Sequence, residues 1–121
     1  MDKGPDKYTV IKEYISPYPN SIFFFVGERI KVGKKFEDDP NWKDWIWCEG
    51  ENSNKAWVPE QFIEIKGKEG VLLQDYDALE LSVFPGEVVS IYKLINGFGM
   101  GEKADGTKGW VPLKNLDKIR I

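Results

Sequence analysis

Cys48 is the one thiol in a chain that has no histidine, and this limits the covalent chemistry open to it. A cysteine nucleophile works as the thiolate, which a neighbouring imidazole commonly provides. Here no imidazole exists, and the run Trp45-Ile46-Trp47-Cys48 can place Ile46 and Cys48 inward on a strand with both tryptophans outward. A thiol so placed is inert. One thiol makes no intramolecular disulfide, and by itself no metal cluster. The acids Glu37, Asp38, Asp39 and Asp44 gather before Trp45 with Trp42 among them. They read as a solvated loop or as a selector for basic partners, not as a spaced acid–base pair. The glycine-rich run Asn96-Gly97-Phe98-Gly99-Met100-Gly101 leads into a hairpin rather than a helix. It is therefore no phosphate loop, and its glycines allow close backbone approach. No catalytic residue, cofactor or metal site is expected, and the chain does not read as an enzyme.

What remains is aromatic chemistry. Aromatic residues make up 14% of the chain, and most lie in its first half. Large rings fill small cores, but rings left on a surface mark binding sites. Tyr14, Trp45, Trp47, Trp57 and Phe62 are the rings left for the surface once the expected core positions Val10, Ile22, Phe24, Ile30, Val32, Cys48, Val58 and Ile63 are taken.

The elements that must position them repeat. Val10-Ile11-Lys12-Glu13-Tyr14 matches Leu72-Leu73-Gln74-Asp75-Tyr76. Gly27-Glu28-Arg29-Ile30-Lys31-Val32 matches Gly86-Glu87-Val88-Val89-Ser90-Ile91. Trp45-Ile46-Trp47-Cys48 stands against Phe98-Gly99-Met100-Gly101, and Trp57-Val58-Pro59 to Ile63 against Trp110-Val111-Pro112 to Leu116. The polar run Lys66-Gly67-Lys68-Glu69-Gly70 reads as a linker. Two domains, 1–66 and 67–121, are expected. Short alternating strands, turns at Glu51–Asn54 and at Asp105-Gly106, and one short 3₁₀ turn after each Val-Pro predict an all-β fold without long helices.

Four blocks in this order, twice over, resemble the SH3 family of small five-stranded barrels. Glu80-Leu81-Ser82-Val83-Phe84-Pro85-Gly86-Glu87 is similar to the family's acidic-Leu-Ser-Phe-x-x-Gly-acidic stretch. Leu72 to Tyr76 is similar to its Ala-Leu-Tyr-Asp-Tyr strand, and Gly109-Trp110-Val111-Pro112 to its Gly-Tyr-Val-Pro block. The resemblance implies two tandem SH3-like barrels of a variant, prokaryotic type. It implies an aromatic shelf for an extended or proline-containing peptide, made by Tyr14, Trp45, Trp57, Pro59 and Phe62. A reduced second shelf would be Tyr76, Phe98, Trp110 and Pro112, in a structural second barrel whose loop between Tyr76 and Glu80 is about four residues short of the family's.

The expected role is that of a non-catalytic adaptor for a protein or peptide. Two alternatives stand beside it: a structural double barrel whose aromatics fill an inter-domain or oligomer interface, and a cell-wall-binding relative. The net charge of −3 supplies no basic stripe for nucleic acid. No stretch approaches the ~18 apolar residues of a membrane span, and cysteine usage suggests a cytoplasmic home. Ser16-Pro17 and Tyr18-Pro19 read as turn formers at a loop tip.

Overall fold

The computed structural model describes residues 4–17, 21–37 and 43–120. Tyr18-Pro19, Asp38, Asp39 and Trp42 lie outside the described residues. The chain is all-β. Its strands are β1 (Asp6–Val10), β2 (Phe23–Phe24), β3 (Arg29–Lys35), β4 (Trp45–Glu49), β5 (Lys55–Pro59), β6 (Ile63–Lys66), β7 (Glu69–Leu72), β8 (Tyr76–Asp77), β9 (Val88–Ile95), β10 (Phe98–Lys103), β11 (Lys108–Pro112) and β12 (Leu116–Lys118). Helical geometry among the described residues is confined to 3₁₀ turns at Glu51–Ser53, Glu60–Phe62 and Leu113–Asn115. The last two follow Pro59 and Pro112, as the Val-Pro pairs predicted.

The chain divides into two compact units. Unit 1 joins Met1–Asn20 to Leu79–Ile121, and unit 2 is Ser21–Ala78. Unit 1 holds one five-stranded sheet in the order β11-β10-β9-β1-β12. Unit 2 holds a five-stranded sheet, β5-β4-β3-β7-β6, and the short pair β2-β8. Among the described residues the ladders are open, each ending on two edge strands, rather than closed into barrels.

The units do not follow the expected boundary at 66/67. Residues 66–70, expected as a linker, are a tight hairpin inside unit 2. Lys66 pairs with Glu69, and Gly67 takes φ +64°, a left-handed value that favours glycine in such turns. Gly70 then lies so close to β6 that a Cβ there would stand 2.6 Å from Ile63 Cγ2.

What replaces the boundary is an exchange of first strands between the repeats. β7, the first strand of the second repeat, pairs with β3 and β6 of the first. β1, the first strand of the first repeat, pairs with β9 and β12 of the second. The turns confirm the equivalence: Gly27 N donates to Leu72 O (2.7 Å) and Leu72 N to Glu28 O (3.0 Å), while Gly86 N donates to Val10 O (2.9 Å) and Val10 N to Glu87 O (2.8 Å). Likewise Tyr76 stands opposite Phe24 and Tyr14 opposite Val83. The first-strand blocks are structural equivalents, but each completes the other repeat.

Each unit has its own core. In unit 1, Val10, Leu81, Val83, Val89, Ile91, Val111 and Leu116 pack together. In unit 2, Phe24, Ile30, Ile46, Cys48, Val58, Ile63 and Leu72 are buried. Of the expected core set, Ile22 and Val32 are only half-buried, and Val10 serves unit 1 rather than its own repeat. Among the described residues no helix is long and apolar enough to cross a membrane.

Candidate functional site: an aromatic face on unit 2

Alternation along β4 and β5 sends Ile46, Cys48, Ala56 and Val58 into the core, all nearly or fully buried. Trp47 and Trp57, directly opposite one another, therefore project from the other side of the sheet. Their rings meet edge to face, with centroids 5.2 Å apart and planes at 69°, the geometry that the ring quadrupoles favour. Gly33 of β3 completes the row. A Cβ at Gly33 would stand 3.5 Å from Trp47 Cβ and Cδ1, so the indole lies over bare backbone.

The register of β3 shifts between Val32 and Lys35. Past that irregularity Phe36 N donates to Trp45 O (2.8 Å), and the Phe36 ring meets Trp57 at 5.1 Å and 88°. Trp57 is thus the centre of a trio, with all three rings half-buried. Its carbonyl accepts a bond from the Tyr76 hydroxyl at 2.9 Å, which ties the strand to the exchanged segment. The ion pair Lys35–Glu60 (3.3 Å) joins β3 to the 3₁₀ turn after β5, and Lys55–Glu49 (3.6 Å) joins β5 to β4. Both pairs are largely exposed, and such pairs add little stability.

The residues expected to form one shelf are distributed differently. Tyr14 belongs to unit 1, whereas Trp45, Trp57, Pro59 and Phe62 belong to unit 2. Trp45 (6% exposed) and Phe62 (4%) are buried, not left on the surface. Trp45 stands opposite Pro59, which is itself fully buried. Phe62 meets Tyr76 edge to face at 5.7 Å, so strand exchange gives the first repeat's ring a second-repeat tyrosine as neighbour. Of the secondary set, Tyr76 accordingly joins unit 2, while Phe98, Trp110 and Pro112 lie buried in unit 1. Phe36 escaped the sequence reading because a strict alternation does not carry through an irregular strand. Its only signal was an aromatic just beyond a β-run.

In unit 1, Tyr14 is held to the second repeat by polar contacts. Its hydroxyl donates to Glu80 Oε1 at 2.6 Å, and Ser16 Oγ donates to the same oxygen at 3.1 Å. Burial pushes the Glu80 carboxyl above the ordinary carboxylate value, against the opposing effect of these two donors. Asn115 clasps the same segment. Its Nδ2 donates to Lys12 O (3.2 Å) and Glu13 O (3.0 Å), while its backbone carbonyl accepts from Ile11 N (2.9 Å).

Cys48 is fully buried, donates weakly to Ile46 O at 3.6 Å, and is pushed up to about 12 by burial. Among the described residues no group of three or more His, Cys, Asp or Glu is placed to hold a metal ion. No protein-family model, curated protein or solved structure matches the chain.

Proposed function

We propose that the chain is a non-catalytic protein-binding module of two SH3-like units that have exchanged first strands, with recognition on the Trp47–Trp57–Phe36 face of unit 2. The observation that carries this reading is the trio itself: three half-buried rings on the outward side of a sheet whose inward side is already filled. Such a face recognises by burying apolar surface, and an extended or proline-containing peptide suits it because a preformed polyproline conformation keeps the ordering cost low. Titration of the full chain with proline-rich peptides tests the proposal by amide NMR. Shifts centred on Phe36, Trp47 and Trp57, abolished by Trp47→Ala, are expected. Shifts elsewhere with this face unmoved refute it.

A second reading has its own support in the burial of Trp45, Phe62, Tyr76, Phe98 and Trp110. In that reading the rings are structural filler and the chain is a scaffold part. Absence of any peptide response, together with large destabilisation by Trp45→Ala and Phe62→Ala, favours it.

A further inference from the structure

The two units build the same turn and finish it differently. In unit 1 the turn is Phe84-Pro85-Gly86-Glu87: Phe84 N donates to Glu87 Oε1 (2.7 Å), and Glu87 N donates back to Phe84 O (3.1 Å). In unit 2 it is Phe25-Val26-Gly27-Glu28, with Phe25 N on Glu28 Oε1 (3.0 Å) and Glu28 N on Phe25 O (3.0 Å). Gly27 and Gly86 take the positive φ of +84° and +92° that both turns require.

Unit 1 then covers its turn with a cation. Lys103 Nζ lies 3.2 Å from Glu87 Oε2 and 5.8 Å from the Phe84 ring centroid. Lys103 stands opposite Val89, whose counterpart in the first repeat is Ile30. Continuing the ladder of Lys31 with Glu49 and Val32 with Cys48 puts Gly50 opposite Ile30, so glycine occupies the place of the lysine. The reason is packing. Phe24 fills the inward position that the smaller Val83 fills in unit 1, and a Cβ on Gly50 would stand 2.9 Å from Phe24 Cε1 and 2.5 Å from Glu28 Oε2. Among the described residues the Glu28 carboxylate bonds only the Phe25 N–H.

The result is a carboxylate beside a ring that, among the described residues, carries no cation of its own. Phe25 is 63% exposed, against 47% for Phe84, and Val26, Leu73 and Phe23 are exposed near it. Phe23 packs on Phe25 with centroids 4.7 Å apart. The backbone of the patch is tied at two points: Val26 N donates to Asp75 Oδ1 (2.8 Å) and Phe23 O accepts from Asn54 Nδ2 (3.1 Å).

We propose that this turn of unit 2 docks a lysine or arginine side chain of a partner protein, seated between the Glu28 carboxylate and the Phe25 ring as Lys103 is seated in unit 1, with Phe23, Val26 and Leu73 covering the partner's adjoining apolar residues. Charge complementarity selects the occupant, and the molecule's own second repeat supplies the template. The site uses none of the rings of the Trp47–Trp57–Phe36 face and stands or falls apart from it.

The probe is a short synthetic peptide with one central lysine flanked by leucines, titrated into the full chain beside its norleucine counterpart and followed by amide NMR. The lysine peptide shifts Phe25, Glu28 and Gly50; norleucine and Glu28→Gln, which keeps an acceptor for Phe25 N, each weaken binding about two- to fivefold, the scale of an exposed ion pair with a cation–π contact. The double variant F24V/G50K, which rebuilds the unit 1 arrangement, abolishes it. Equal binding of the norleucine peptide, no shifts at the turn, or undiminished binding by E28Q overturns the proposal. So does protection of the patch by concentration-dependent self-association, which would make its occupant a second copy. E28Q keeps the test decisive should F24V/G50K fail to fold.

Discussion

Cutting the chain at its repeat boundary should destroy both units, whereas cutting at the unit boundary should leave one intact. A fragment of residues 1–66 lacks β7, which lies between β3 and β6 in unit 2. It loses Leu72 (1% exposed) and Tyr76 (4%) from the core, together worth about 3–6 kcal/mol of burial. It also loses the bonds Gly27 N to Leu72 O, Leu72 N to Glu28 O and Leu73 N to Phe62 O, each worth about 1 kcal/mol net. The sum, roughly 6–9 kcal/mol, matches the whole margin of a small domain, about 5–15 kcal/mol. Fragment 67–121 loses Val10 and Tyr14 in the same way. Fragment 21–78 keeps every contact of unit 2, and its ends already meet, with Ala78 N on Ile22 O (3.0 Å) and Ser21 Oγ on Asp77 Oδ2 (2.7 Å). Amide NMR dispersion and urea unfolding of the three fragments provide the assay. Cooperative unfolding of 21–78 alone is expected. A well-dispersed, cooperatively unfolding 1–66 would refute the strand exchange.

Three further outcomes can be measured on the full chain. Gly70→Ala forces a methyl against Ile63 and Val32 and should cost about 1–3 kcal/mol in urea unfolding; a neutral effect would mean that β6 and β7 sit farther apart. Because burial raises Glu80 in the folded state, the native chain binds more protons than the unfolded one just above the ordinary carboxylate value, so this group's stability contribution falls as pH rises through that window. Glu80→Gln retains an acceptor for Tyr14 and Ser16 and should flatten the pH dependence of the urea midpoint just above the ordinary carboxylate range; identical pH profiles would sink the assignment. Cys48, buried and pushed up to about 12, should be modified by a thiol reagent only as fast as the chain opens, so alkylation that outpaces unfolding would count against its placement.

Much of the fold was legible. Alternation at Trp45 to Cys48 placed Cys48 in a core. Asp105-Gly106 marked a hairpin turn, with Gly106 at φ +89° and Thr107 bonded to Asp105 Oδ1. Gly99 and Gly101 sit where the backbone must approach Ile91, a Cβ on Gly99 falling 2.8 Å from Ile91 Cγ2. The site was less legible. Trp57 was singled out, but Trp45 and Phe62 proved buried, and Phe36 was hidden by the irregularity in β3.

The repeat, the all-β class and the turn chemistry follow from local pattern, because period, glycine and proline act within a few residues. The pairing of first strands does not. Val10 and Leu72 are both apolar, present the same backbone groups, and meet identical Gly-Glu turns, so either strand suits either repeat locally. Tertiary structure decided the matter through connection and shape. Asn115 clasps Lys12 and Glu13, whereas Phe62, its counterpart in the first repeat, packs on Tyr76. The short loop was visible in the sequence; that it marks a crossing between units depends on contacts as many as 103 residues apart, beyond the reach of any local rule.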